Sequence, residues 1–265
     1  MRSNTRGVRQ DRDPDFTHQL RVGVRRARVV LRMFDKLLGK ARAAALERDL
    51  RWIFRLLGEL RDHDLLLREV IAPLSADELD PALELLAREL GRERQRAARC
   101  VKRALGSKRY TRLLAALRAL QTGGALGKES TMRARKWAKK RLDERLEAVL
   151  SGRAAALGPD EAARHELRKQ LKKLRYAAEL VRSLWGKKRV RHYLQQMEDL
   201  QDTLGGLNDV ATARRLLPLA AAAAPGDTSS AVARCERVLL AKLSQQAPAL
   251  EPAFFEFERS APFWR

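Results

Sequence analysis

Aromatic residues are scarce in this 265-residue chain, at 5% of the total, and long runs of Val, Ile and Thr are missing. A chain poor in both lacks the usual material of β-sheets. Cysteine is nearly absent. Cys100 and Cys235 lie far apart and neither belongs to a CxxC pair, which argues against a disulfide scaffold or a zinc ribbon and leaves reduced thiols in the cytoplasm as the expectation. The opening MRSNTRGVRQDRDPD has no apolar core, so no signal peptide is expected. LLPLAAAAA, the longest apolar run, falls well short of the ~20 residues a membrane span needs, so no membrane role is expected. Acidic charge is also short. Against 55 Lys and Arg stand 33 Asp and Glu, a net charge of +22 with pI ≈ 11.0.

What is present is Leu, Ala, Arg and Glu, a helix-forming mixture. Apolar residues recur with a period near 3.6 almost everywhere, so the chain is expected to be all-α. The spacing predicts helices from Asp13-Pro14 to Gly39, Ala41 to Ile71, Ala76 to Leu105 and Lys108 to Leu120. After a linker, Gln121 to Ser130, it predicts Thr131 to Leu150, Pro159 to Trp185, Lys187 to Leu217 and Ser229 to Gln246.

The excess positive charge suggests a polyanionic partner: nucleic acid, an anionic membrane surface or a polymeric phosphate. Compositional bias toward Arg is a second source for scattered arginines. It does not account for phasing. In HQLRVGVRRARVVLRMF, starting at His18, Leu20, Val24, Ala27, Leu31 and Phe34 form one apolar face, while His18, Arg21, Arg25, Arg28 and Arg32 form a second stripe. At 1.5 Å per residue that stripe runs roughly 21 Å. No acid interrupts it on its own helix, although like charges at this spacing cost a helix about 0.2–0.5 kcal/mol per pair. Arg51 and Arg55 on the next helix have the phase to join it.

The pattern occurs twice. HELRKQLKKLRYAAELV, starting at His165, repeats the stripe as His165, Arg168, Lys172 and Arg175, widened by Lys169 and Lys173, beside an apolar face of Leu167, Leu171, Leu174 and Ala178. His18 and His165 lie 147 residues apart, as do Gly58 and Gly205, and Asp62 and Asp209. LLGELRDHD therefore aligns with TLGGLNDVA without a gap. Two motifs at one offset argue for internal duplication. The expected architecture is two four-helix bundles, residues 1–122 and 123–265, related by a pseudo-twofold around a basic central groove or pore. RARKWAKKR is a further basic cluster, with Lys136, Lys139 and Lys140 as an extension of the groove or as a solvated face.

Cations around His18 and His165 are expected to lower the imidazole pKa. The histidines either bind phosphate oxygens or cap and pack their helix starts. No HxxxH or CxxC pair accompanies them, so no metal and no other cofactor is expected. Asp62 and Asp209 are read as partners that orient a basic residue, with catalysis as the alternative.

These four segments, HQLRVGVRRARVVLRMF, LGELRDHDLL, HELRKQLKKLRYAAEL and LQDTLGGLNDVATA, taken in order, resemble the CHAD family, the conserved histidine α-helical domain, over residues 15 to 245. The resemblance implies two four-helix bundles around a basic pore and binding of inorganic polyphosphate. For some members it implies recruitment to polyphosphate granules. By motif match it implies ligand contacts at His18, Arg21, Arg25, Arg28, His165, Arg168, Lys172 and Arg175. Many members also carry a CYTH-type triphosphatase domain. This chain leaves no room for that barrel, and EFER at 256–259 holds half of the ExExK signature. The expectation is a cytoplasmic binding module and not an enzyme. Nucleic-acid binding is the second reading, although the stripes lack Asn or Gln base readers and stacking aromatics. Hydrolysis of phosphoanhydrides is the third. The aromatic tail FFEFERSAPFWR is expected to fold back on a bundle or to meet a partner.

Overall fold

The computed structural model describes residues 2–75, 80–120, 128–158 and 160–265, with side chains except at 2, 36, 37 and 128–132. Among the described residues the structure is all-α, with no strand. Parts of three expectations lie outside them: the linker at 121–127, the helix start at 76–79, and Pro159.

The chain divides into two compact units, residues 1–123 with 212–240, and residues 124–211 with 241–265. The first unit holds α1 (Arg2–Arg9), α2 (Pro14–Met33), α3 (Asp35–Leu38), α4 (Lys40–Leu66), α5 (Ala72–Ser75), α6 (Pro81–Gly106) and α7 (Lys108–Arg118). The second holds α8 (Lys128–Leu150), α9 (Arg153–Leu157), α10 (Glu161–Val181) and α13 (Leu250–Arg259). Two helices contribute to both: α11 (Lys187–Ala223) and α12 (Ser229–Gln246).

Helix starts follow local chemistry. Asp13 caps α2 by accepting from the Asp15 amide at 2.7 Å, with Pro14 in the first turn, where the missing N–H costs nothing. Asp80 caps α6 through the amides of Ala82 (2.9 Å) and Leu83 (3.3 Å), again followed by proline. Asp160 caps α10 through the Ala162 amide at 2.8 Å. The starts of α2 and α10, and of α4 and α11, are each separated by the 147 residues that separate the motifs.

Several boundaries differ from the periodic reading. The second expected helix is broken by a π-helical turn at Leu67–Ile71. Its wider winding keeps Leu66, Val70 and Ile71 all buried, which 3.6-residue winding would splay. The helix expected to stop at Leu217 runs through Pro218 to Ala223. Proline removes one backbone bond, but the alanines beyond it have the highest helix propensity. Helices α1 and α9 were not expected; both are too short to carry a clear period.

In the first unit α2 packs on α4, and α4 on α6. Leu20, Val24, Leu50, Ile53 and Leu57 are fully enclosed. The approach of α1 to α2 depends on Gly7, where a Cβ would lie 2.3 Å from the Phe16 ring. Asp11, in the left-handed region at φ 49°, follows α1 and is held by Arg94, which donates to both its carboxylate oxygens at 2.7 Å. Arg94 also donates to the buried Asp64 at 2.8 Å, tying α6 to α4.

In the second unit α8 packs on α10. The predicted apolar face of α10, Leu167, Leu171, Leu174 and Ala178, is buried throughout. The aromatic tail folds back within this unit as α13 and its extension. Phe254, Phe257, Phe263 and Trp264 are buried, and Tyr193 stacks tilted on Phe257 and edge-to-face with Phe263 and Trp264. Trp264 donates to Asp143 at 2.9 Å, satisfying its indole N–H.

Candidate functional site

The first stripe runs along α2 beside α4, and the facing helix decides what each cation can do. Phe54 lies beneath three of the arginines. The guanidinium carbons of Arg21, Arg25 and Arg28 stand 4.8, 5.5 and 5.3 Å from its ring centroid. A ring face attracts cations by about 0.5–1 kcal/mol each at exposed sites, so Phe54 gathers like charges without neutralising them. Arg21 also reaches across Gly58, with Nη1 3.5 Å from the glycine carbonyl and 3.7 Å from Asp62. Asp62 lies 3.6 Å from Arg215 as well. Sequence reasoning placed Asp62 here but found neither Phe54 nor Arg215, because helical period identifies a face and not its neighbour.

The far end of the stripe has a counter-charge that the stripe's own helix lacks. Glu47 accepts from Arg28 at 3.1 and 2.8 Å and from Arg32 at 2.6 Å, and lies 3.8 Å from Arg51. Burial pushes the Glu47 carboxyl up, but the hydrogen bonds from Arg28 and Arg32 outweigh it and hold it below the usual range. The repulsion among Arg28, Arg32 and Arg51 is thus offset from α4. Arg55 is exposed.

At the other end, His18 is exposed and its imidazole is lowered from its ordinary value. The largest cause is desolvation by the protein around it, followed by Arg61, with smaller contributions from Arg25 and Arg21. The direction is the expected one, but burial leads and cations follow.

The second stripe lies on α10. His165 is exposed, and its Nδ1 lies 2.6 Å from Asn208 Oδ1, so Nδ1 carries the proton and donates. Arg168 lies over Gly205, with Nη2 3.9 Å from where a Cβ would sit. Lys172 is only 9% exposed, a cation drawn into the wall of the helix. Lys169 pairs with Glu166 at 2.9 Å, and Lys173 donates to Gln170 at 3.1 Å. Arg175 donates from Nε to Glu179 at 3.0 Å and from Nη2 to Glu198 at 2.9 Å. Its planar fork, a ligand contact implied by the family resemblance, is therefore largely occupied by carboxylates. Asp209 accepts from Asn208 at 3.5 Å.

Lys136, Lys139 and Lys140 are exposed on α8, and Lys139 lies 3.7 Å from Asp143. Among the described residues no three His, Cys, Asp or Glu side chains come together to hold a metal ion. No helix among them is long and apolar enough to cross a membrane.

An all-helical chain with a cationic ridge on α2 and another on α10 defines a narrow class. The chain belongs to the CHAD family, whose domain model matches residues 1–218. The fold is similar to that of the CHAD domain from the plant Ricinus communis, with a TM-score of 0.76, 28% identity, and coverage of 96% of this chain and 86% of that one. It is also similar in fold to PptA from Streptomyces chartreusis, with a TM-score of 0.61, 22% identity, and coverage of 98% and 95%. The comparison with curated proteins found no match.

Proposed function

We propose that this protein binds inorganic polyphosphate through the ridges of α2 and α10, and that it does so as a non-catalytic module of the cytoplasm, including its polyphosphate granules. Membership of the CHAD family supports this reading. The observation that carries it is a cation arrangement built twice: Arg21 laid on Gly58 within the first unit, and Arg168 laid on Gly205 within the second. Around each lie further cations on the same helix face, Arg25 and Arg28 in one unit, Lys172 and Lys169 in the other.

The mechanism is electrostatic. Guanidinium and ammonium groups donate charge-assisted hydrogen bonds to successive phosphoryl oxygens. The first ridge is pre-ordered by Phe54 beneath Arg21, Arg25 and Arg28, so less side-chain entropy remains to be lost there on binding. Each neutralised phosphate releases a condensed counterion, and affinity therefore falls steeply with salt.

The test replaces Arg21, Arg25, Arg168 and Lys172 together with Ala and titrates long-chain polyphosphate at about 150 mM salt, where the Debye length is about 8 Å. Binding should be lost while circular dichroism shows unchanged helicity. Unchanged affinity would overturn the proposal. Displacement of polyphosphate by an equal charge of duplex DNA would redirect it to nucleic acid. Release of phosphate in the presence of Mg²⁺ would contradict the non-catalytic part.

A further inference from the structure

Away from the ridges, the first unit contains a cavity of about 990 Å³ walled by α1, α6 and α7. Four cations line it: Arg6 and Arg9 from α1, Arg99 and Lys102 from α6. Each pair is spaced i, i+3, so both members lie on one face of their helix. Among the described residues none of the four side chains makes an ion pair or hydrogen bond. The arginines earlier in α6 contrast with them, since Arg88, Arg92, Arg94 and Arg96 each pair with a carboxylate. The one acid in the cavity wall, Asp11, is already taken by both donated bonds from Arg94.

Four unneutralised cations around one concave space repel each other and focus a positive potential there. Gln10 and Gln95, which carry side-chain amide donors, line the same space. The rest of the lining is apolar, from Val8, Ala98 and Leu114. The Thr5 hydroxyl, at the edge, is shared with Tyr110 at 2.9 Å. A purely inorganic anion uses the cations and leaves the apolar floor wet. A ligand with a phosphate cluster at one end and an uncharged organic body at the other uses both. The volume matches a ligand of nucleotide size, since small-molecule pockets run about 300–1,000 Å³.

We propose that this cavity is a second anion site, separate from the ridges, that takes a small organic polyphosphate of the nucleoside triphosphate class. The phosphates meet Arg6, Arg9, Arg99 and Lys102, and the organic body covers Val8, Ala98 and Leu114.

The experiment titrates the full chain with ATP, and with inorganic tripolyphosphate, by calorimetry. The proteins are wild type, the cavity variant Arg99→Ala/Lys102→Ala, and the ridge variant Arg21→Ala/Arg25→Ala. Arg99 and Lys102 are exposed, so the cavity variant should fold, and circular dichroism checks it. ATP should bind wild type at one saturable site. The cavity variant should weaken it about tenfold or more, as expected for two charge-assisted contacts, and the ridge variant should leave it nearly unchanged. In the ridge variant, tripolyphosphate should bind more weakly than ATP. Absence of ATP binding to wild type, or loss in the ridge variant but not in the cavity variant, would overturn the site. Equal affinity for ATP and tripolyphosphate in the ridge variant would overturn the organic class.

Discussion

The two ridges carry related sequences but end in opposite electrostatics. At the far end of the first, Arg28, Arg32 and Arg51 share the single carboxylate of Glu47. In the second, the residues 147 positions after Arg32 and Arg51 are Glu179 and Glu198, and both hold Arg175, the counterpart of Arg28. Beneath the first ridge lies Phe54; its counterpart is Gln201, whose buried Oε1 has no hydrogen-bond partner among the described residues. Beside His18 stands Arg61; beside His165, at the matching place, Asn208. The two helix pairs thus share a cation-over-glycine arrangement while their surroundings differ. The first ridge is cationic along its full length. The second is cationic over His165 to Lys173 and neutralised beyond.

The largest effect should come from separating these ends. Arg21→Ala/Arg25→Ala should lower polyphosphate affinity by roughly 10- to 100-fold, the loss expected for two charge-assisted contacts. Arg175→Ala should change it by less than about threefold, because Glu179 and Glu198 already satisfy that guanidinium. Equal losses in the two variants, read by calorimetry at one salt concentration, would break the contrast between the ridges.

Next in size is Glu47→Gln. Its carboxylate is 15% exposed and holds three arginines, so its neutralisation should cost about 1–3 kcal/mol of stability, read by thermal or urea unfolding. The same change frees Arg28 and Arg32, and polyphosphate affinity should rise. Glu198→Gln, at a carboxylate 45% exposed, should cost no more than about 1 kcal/mol. The pH dependence has a fixed sign. Glu47 titrates below its ordinary 4.5 in the folded state, so it contributes stability that is full above that value and is lost as pH falls through the folded value. The Gln variant should therefore lose less stability than wild type between neutral pH and acid.

Smaller still is Phe54→Leu, which keeps the apolar volume and removes the ring face. It should lower stability by about 1 kcal/mol and loosen Arg21, Arg25 and Arg28, weakening polyphosphate binding severalfold at most. The converse change, Gln201→Phe, should tighten binding if the second ridge lacks only a platform. No change there would show that its carboxylates, and not its missing ring, limit it.

How much of this was legible depends on whether a residue's role is set on its own helix. Asp13 starts α2 as read because the cap is local, and the apolar face of α10 is buried throughout because burial follows period; the cap at Asp80, by contrast, lies inside the helix read from Ala76. Ser229 to Gln246 appears with the predicted bounds. The stripes themselves were equally readable. What faces them was not. Glu47, Phe54 and Arg215 reach the first ridge only through folding, and nothing in their spacing distinguishes them from solvated neighbours such as Arg55. The π-turn at Leu67–Ile71 was hidden for a similar reason: three buried side chains, not a propensity, select the wider winding. The tail, Leu250 to Trp264, offered an aromatic signal but no period from which to name its partner, Tyr193.

The smallest effect tests the divergence at the histidines. In the first unit Arg61 adds to desolvation in disfavouring the His18 imidazolium, so replacing it with the residue found at the matching place, Arg61→Asn, should raise the His18 pKa. The shift should be small, because desolvation is the larger cause and stays in place. NMR titration of the imidazole 13C–1H signal reads it directly. The sign for stability follows: a histidine lowered in the folded state costs stability as pH falls below its unfolded value near 6.5, so the variant should lose slightly less stability than wild type across that range. An unmoved His18 pKa would mean that Arg61 is screened by solvent from the ring. The exchange of Arg61 for Asn208 between the halves would then carry no electrostatic consequence. A fall would reverse the argument, and would require Asp15, a carboxylate that raises His18, to have moved away with the arginine.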